Sequence, residues 1–503
     1  MSIGLRGWVL ALAVAVGASI AIQASVSSDS ARSEIRLQLA DLLFGDERYW
    51  DSLDAYNRAK IGATDFQLIR ASRGLVSSLL QVAEFSRAHE EAEFLSGLDP
   101  NDPVSQTLYG DALWAAGLFV ESEAAYRDVV AAVPAHGRAR HGIARSLAAR
   151  GRLDDALAEI YAALEADDSA ENYHTLSTIY RRLRQYPAAA SSLMQYVDRL
   201  SRSGRSEKTE WARSEIRFLR SFGDRIPFNI DEDELAQVHT IPFELDRDKV
   251  VIRGRINDGD LIDLVIDTGA EQMVLSKPTA QRYGVRPITT TLSAGVGDIG
   301  LRGLEMGRAD FIEIGSLTVR NVPAIIKNPP LSGLPDTRVE NSISPLAFGL
   351  STIVDYAKKE LIVSRVLPAE TADVTLPMRF NRLALVRGVI NDDYPKSFIV
   401  DTGGEVISIS LASANSLGMV PVRHIPLQVF GTSGWDPDAF LLPGVDLVFD
   451  KIQFNNFAVV VLNLHRPSAL LGFHIGGIVG HKFLSNYRVA MDLQESTLRL
   501  TEL

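Results

Sequence analysis

The chain has 503 residues, and at about 100–200 residues per domain that length accommodates three or so domains. Hydrophobic residues make up 46% of it, enough for folded cores, while a net charge of −12 argues against nucleic acid or an anionic membrane as the main partner, because both select for basic surface. The complete lack of cysteine excludes disulfides, cysteine nucleophiles, zinc–thiolate sites and a lipoprotein-type cysteine anchor.

In the N-terminal segment, Arg6 precedes an apolar run from Trp8 to Ile22, broken only by Gly17 and Ser19. Ser19 and Ala21 are small residues at the positions a signal peptidase reads. Residues 1–25 therefore read as a secretory signal or as an uncleaved N-terminal anchor, the run being short against the roughly 20 residues that span a bilayer. Export is expected either way, with an N-terminal membrane tether as one of the two outcomes.

Residues 31–220 are rich in Ala, Leu, Arg and Glu and poor in proline, which predicts helices. The large apolar residue that follows a small polar turn recurs at Tyr49, Phe85, Phe119, Leu153 and Tyr186, with spacings of 36, 34, 34 and 33. The segments around these anchors read alike, as in LWAAGLFVESEAAYRDVV and LAARGRLDDALAEIYAAL, and Pro100 and Pro134 close the second helix of their units. A period near 34 with paired helices resembles tetratricopeptide (TPR) repeats, about five of them, each hairpin burying its apolar face against the next.

Gly223, Pro227 and the acidic stretch Asp231–Glu234 mark 221–240 as a linker. Beyond it the pattern changes to short Val- and Ile-rich runs bounded by Gly, Asp, Asn and Pro, which predicts a β-rich half. That half repeats itself. Residues 251–285 lie on 385–419 without a gap at an offset of 134, and 352–363 lie on 489–500 at an offset of 137. Two lobes are expected, 241–366 and 367–503.

The duplicated stretch contains Asp267-Thr268-Gly269 and Asp401-Thr402-Gly403, each after an apolar strand. A lone Asp-Thr-Gly says little, since Asp and Gly are common turn formers; two at equivalent positions say much more. Peptide hydrolysis by water needs a base for the water and an acid for the carbonyl or leaving group, and two carboxylates that share one proton supply both. Such a pair titrates as a unit. Two copies of one loop facing each other across an approximate two-fold axis bring Asp267 and Asp401 together. Gly269 and Gly403 permit the close approach, and the hydroxyls of Thr268 and Thr402 are placed to bond across the axis.

LVIDTGA (264–270) and FIVDTGG (398–404) resemble the catalytic loops of the pepsin/retropepsin superfamily of aspartic proteases, in its bacterial branch with retropepsin-like lobes. Ile478-Val479-Gly480 fits the hydrophobic-hydrophobic-Gly motif that supports such a loop. The resemblance covers about 240–503. It implies an all-β two-lobed acid-protease fold behind the all-α TPR-type solenoid, Asp267 and Asp401 as the catalytic pair, no metal and no organic cofactor. Combined with the signal-like N-terminus, it implies a bacterial periplasmic location. In lobe 1 the position equivalent to Gly480 falls near Ile343, within NSISPLAFG, where the motif is lost; after the triplets, Gly404 replaces the more usual Ala or Ser.

Candidate flaps are SAGVGDIG (293–300), with Gly295 and Gly297, and FGTSGWD (430–436), with Gly431, Gly434 and Trp435, the last placed to pack on bound peptide. The nine histidines show no metal-ligand spacing, and His474 and His481 near the late motif read as structural. Glu271 and Glu405 read as surface or loop-stabilising residues. The leading expectation is an exported aspartic endopeptidase acting on protein or peptide, with the TPR surface recruiting a substrate or regulator. The alternative is a non-catalytic TPR adaptor with a degenerate peptide-binding half. A third arrangement, lobes pairing between two molecules, is less simple than intramolecular closure, given the short connection at 364–382.

Overall fold

The computed structural model describes residues 29–200, 207–293, 302–327, 341–393, 395–417, 425–427, 429–431 and 434–503. The chain divides into two compact units, Met1–Ala116 and Gly117–Leu503. Among the described residues no helix is long and apolar enough to cross a membrane, and the apolar run Trp8–Ile22 lies outside them.

The first unit holds helices α1 (29–45), α2 (Tyr49–Ala59), α3 (Asp65–Gln81), α4 (Phe85–Leu98) and α5 (Pro103–Ala115). The second opens with α6 (Phe119–Ala132), α7 (Gly137–Ala149), α8 (Leu153–Ala166), α9 (Ala170–Arg182), α10 (Tyr186–Arg199) and α11 (Glu207–Arg220). Each of the five periodic anchors is the first residue of an even-numbered helix. Two residues before each anchor the backbone turns left-handed, at Glu47, Ala83, Gly117, Gly151 and Arg184, with φ between 59° and 82°. A tight turn between antiparallel helices demands that conformation, and only two of the five positions use the residue that adopts it freely. Small residues fill the helix contacts: Ala40, Ala59, Ala71 and Ala88 are fully buried in one cluster, and Ala139, Ala144, Ala156 and Ala163 in another. In both units the paired helices are TPR-like.

The stretch 221–240 contains a short helix, Glu232–Leu235, and Asn229 forms a bridge with Arg320. Strand follows strand from His239. Lobe 1 is an eight-stranded sheet and lobe 2 is built alike. They meet in a six-strand stretch to which each contributes three strands, in the order His239–Pro242, Glu360–Ser364, Ser351–Asp355, Tyr487–Asp492, Thr497–Glu502 and Val374–Asn381, and this stretch runs on into the strands of lobe 2 as one 13-stranded sheet. At its centre Thr352 pairs with Met491, Ile353 with Ala490 and Val354 with Val489. Ile353 and Ala490 occupy equivalent places in the duplicated sequence, so the pseudo-two-fold axis passes between them. The β half has the two-lobed acid-protease fold.

The helices of the second unit lie directly on this half. The Ser397 hydroxyl donates to the Gly117 carbonyl at 2.8 Å, and the Phe119 and Phe473 rings meet edge to face at 5.2 Å. The Ser496 hydroxyl donates to the Arg150 carbonyl at 2.7 Å. Met306 of lobe 1 shares a core with Tyr186 and Phe218 of the last two helices and with Phe222 in the turn that follows them.

Candidate active site

Strand Leu261–Ile266 delivers Asp267 and strand Lys396–Val400 delivers Asp401. Their apolar ends, Leu264 to Ile266 and Phe398 to Val400, are buried, which fixes the point at which each chain turns. A short support strand runs parallel to each: Ser342–Ile343 beside the first and Gly477–Val479 beside the second. The Asp267 N–H donates to the Ile343 carbonyl at 2.9 Å, and the Asp401 N–H to the Val479 carbonyl at 3.0 Å. Ile343 therefore corresponds to Val479, and the counterpart of Gly480 is Ser344, one residue beyond the place the sequence alignment gave.

The two loops lock together through their threonines. The Thr268 N–H donates to Thr402 Oγ1 at 3.2 Å and the Thr402 N–H to Thr268 Oγ1 at 3.1 Å. Each hydroxyl in turn donates across the axis, Thr268 to the Val400 carbonyl and Thr402 to the Ile266 carbonyl, both at 2.7 Å. Both side chains are buried. All four bonds join the lobes of one chain, so the pairing is intramolecular.

The glycines stand where any side chain would strike the opposite carboxylate. A Cβ on Gly269 would lie 2.5 Å from Asp401 Cγ, and one on Gly403 2.7 Å from Asp267 Cγ. The N–H groups of Gly403 and Gly404 donate to Asp401 Oδ1 at 2.8 and 3.0 Å. Burial and the neighbouring Asp267 carboxylate, which also hydrogen-bonds Asp401, outweigh those two donors and push the Asp401 carboxyl up to about 7. The pair can thus hold one proton near neutral pH.

The supports differ between the lobes. A Cβ on Gly480 would stand 2.5 Å from the Val406 carbonyl oxygen and 2.9 Å from that of Gly404. The N–H groups of His481 and Lys482 donate to the carbonyls of Gly404 and Glu405 at 2.7 and 3.0 Å. In lobe 1 the places of Gly480 and His481 hold Ser344 and Pro345. Glu271 pairs with Arg382 of lobe 2 at 2.7 Å, an ion pair across the lobes beside the Asp267 loop, whereas Glu405 is exposed. Sequence reasoning passed over Arg382, because nothing local distinguishes a single arginine at the head of a strand.

Of the flap candidates, Gly295 and Gly297 lie outside the described residues; the strands that flank them, Pro287–Ser293 and Arg302–Ile314, are antiparallel, with Ser293 opposite Arg302. In lobe 2 Gly431 pairs with Gly434 and Phe430 with Trp435 in a two-stranded ladder. His474 is buried, bonded through Nε2 to the hydroxyls of Ser410 and Ser413, and pushed down to about 4 by that burial. His481 sits edge-on to Tyr356. Among the described residues no three acids or histidines gather as metal ligands.

A family model described as aspartyl protease matches residues 252–342 and 386–475, one stretch per lobe, each containing its triplet. No curated protein matches the chain. Among solved structures, the helical region is similar to a thermophilic TPR protein of Thermus thermophilus (17% identity, 34% of this chain and 93% of that one, TM-score 0.31). The β half is similar to the aspartic proteinase of Irpex lacteus (12% identity, 53% of this chain and 97% of that one, TM-score 0.35).

Proposed function

We propose that the two-lobed half, with its aspartyl protease family match in each lobe, is an endopeptidase that uses Asp267 and Asp401 to hydrolyse peptide bonds with water. The observation that carries the reading is the pairing of the two carboxyls across the axis, each so close to the opposite loop that only glycine fits there. Protonated Asp401 donates to the scissile carbonyl oxygen while the partner carboxylate takes a proton from the attacking water. The tetrahedral intermediate then collapses as the leaving amine is protonated. The threonine bonds keep the two carboxyls in register, so little reorganisation is needed during reaction.

The substrate is an extended peptide bound by strand-like pairing, and the TPR surface recruits the protein that carries it or a regulator. The N-terminal apolar run supports export, to a bacterial periplasm, with the segment either cleaved or retained as a tether. The competing reading is a non-catalytic adaptor, favoured by Ser344 and Pro345 in place of the glycine support. Incubating the full chain with a mixed peptide library separates the two. Cleavage by the wild type that vanishes in both Asp267→Asn and Asp401→Asn supports the endopeptidase. Cleavage that survives either substitution removes the assignment, and a wild type that binds peptides without cutting them establishes the adaptor.

A further inference from the structure

Lobe 1 needs a substitute for the support that lobe 2 builds from Gly480 and His481. Pro345 has no N–H to donate, so the turn Pro345–Phe348, which continues the support strand Ser342–Ile343, is tied down from elsewhere. The Arg184 guanidinium reaches it from the turn between α9 and α10. It donates to the carbonyl of Phe228 at 2.7 Å and to that of Phe348. One of its terminal nitrogens lies against Gly349, where a side chain would crowd it: a Cβ there would be 3.2 Å away. Burial holds the guanidinium below its ordinary pKa. At the two preceding turns of this unit the equivalent residue is glycine, whereas Arg184 takes φ 62° and carries a side chain into the protease half.

We propose that Arg184, a residue of the last helical repeat, is a positioning residue for the lobe 1 half of the carboxyl pair. By fixing the turn 345–348 it fixes the support strand, and the Ile343 carbonyl of that strand accepts the Asp267 N–H. The helical repeats are then part of the machinery that aligns the site, besides any recruiting role. The kinetic consequence rests on the endopeptidase reading; the structural consequence does not.

The test uses the full chain and two variants, Arg184→Gly and Arg184→Lys. Glycine suits the left-handed turn, so the helical circular dichroism is retained, while the loss of the two guanidinium–carbonyl bonds lowers the thermal midpoint modestly. Hydrogen exchange in the peptide 264–270 accelerates about tenfold while that in 398–404 is unchanged, the mark of a local opening. On a cleaved library peptide kcat falls about tenfold with KM within about twofold, because the loss is one of alignment. Lysine, which keeps the charge but lacks the planar fork, gives intermediate values and carries the same comparison should the glycine variant not fold. Unchanged exchange at 264–270, or equal acceleration at 264–270 and 398–404, overturns the proposal. If the wild type does not cleave, or Asp401→Asn still does, the endopeptidase reading fails and the exchange comparison alone decides the role of Arg184.

Discussion

Thr268 and Thr402 exchange amide-to-hydroxyl hydrogen bonds across the lobe interface, each donating its N–H to the other's Oγ1. Neither hydroxyl reaches solvent, so each loop depends on the other for the satisfaction of buried polar groups. Assembly of the site and closure of the two lobes are therefore one event.

Thr402→Ala leaves the Thr268 N–H and the Ile266 carbonyl without their partners, at a cost of about 1–3 kcal/mol for each buried group. A lower thermal midpoint and a fall in kcat of at least about tenfold are expected. Thr402→Ser keeps the oxygen and stays near wild type. By symmetry Thr268→Ala costs a similar amount. The two changes remove different pairs of the four bonds, so the double variant loses about the sum of the two, and any departure from that sum measures the coupling between the loops. Thermal unfolding of the four proteins checks this.

The raised Asp401 carboxyl sets the pH dependence. Its folded value, about 7, lies above the ordinary 3.8, so the folded chain prefers the protonated acid. That contribution to stability is complete at pH below about 4 and is lost as pH rises through 7. Asp401→Asn cannot ionise, and above pH 7 it is expected to be more stable than wild type by an amount on the order of 4 kcal/mol, a difference that vanishes near pH 4. In the wild type kcat/KM falls as pH rises past about 7, where the shared proton is lost. Unfolding midpoints and initial rates measured from pH 4 to about 9 test both statements.

Gly480 and Ser344 occupy equivalent positions and respond differently to the same side chain. Gly480→Ala drives a methyl into backbone atoms of Gly404 and Val406, none of which can swing aside as a side chain does. A loss of about 1–3 kcal/mol and a fall in kcat of roughly a hundredfold follow from displacing the Asp401 loop. Ser344→Ala removes only a hydroxyl at a place already shaped for a Cβ, and changes the unfolding midpoint little. A midpoint for Gly480→Ala equal to that of Ser344→Ala would show that loop 404–406 yields at no cost.

The repeat anchors and the duplicated triplets were legible because both are periodic: each anchor begins a helix, and the offset of 134 is the one at which Thr268 meets Thr402. The counterpart of Gly480 was misplaced by one residue because the offset drifts, from 134 at the triplets to 136 at the support strands and 137 at the shared sheet. Short insertions in the middle of lobe 2 accumulate between those points, and a gapless alignment cannot follow them. Arg184 and Arg382 were invisible for a different reason. Each is a single residue with a partner more than a hundred positions away, Phe348 for Arg184 and Glu271 for Arg382, and no local pattern marks a long-range guanidinium contact. Arg184 even sits at a place in the repeat where a glycine serves equally well for the turn.

The left-handed turns allow one prediction in the first unit. Ala83 has φ 59° at the position that Gly117 and Gly151 fill in the third and fourth repeats. An L-residue with a Cβ pays about 1–2 kcal/mol in that region, while glycine gives back roughly 0.5–1 kcal/mol through its freer unfolded chain. Ala83→Gly should therefore stabilise the chain by up to about 1 kcal/mol. The reverse change at Gly117 is not its mirror image. Gly117→Ala meets the same backbone strain and also places a methyl 3.0 Å from Ser397 Oγ and 3.2 Å from the His474 carbonyl, against lobe 2. It is expected to cost more than Ala83→Gly gains, and to weaken the Ser397 bond to the Gly117 carbonyl as well. Chemical denaturation of both variants decides the matter. If Ala83→Gly lowers the midpoint, the left-handed turn at Ala83 carries no strain for glycine to relieve, and the turn geometry is not what limits the stability of that repeat.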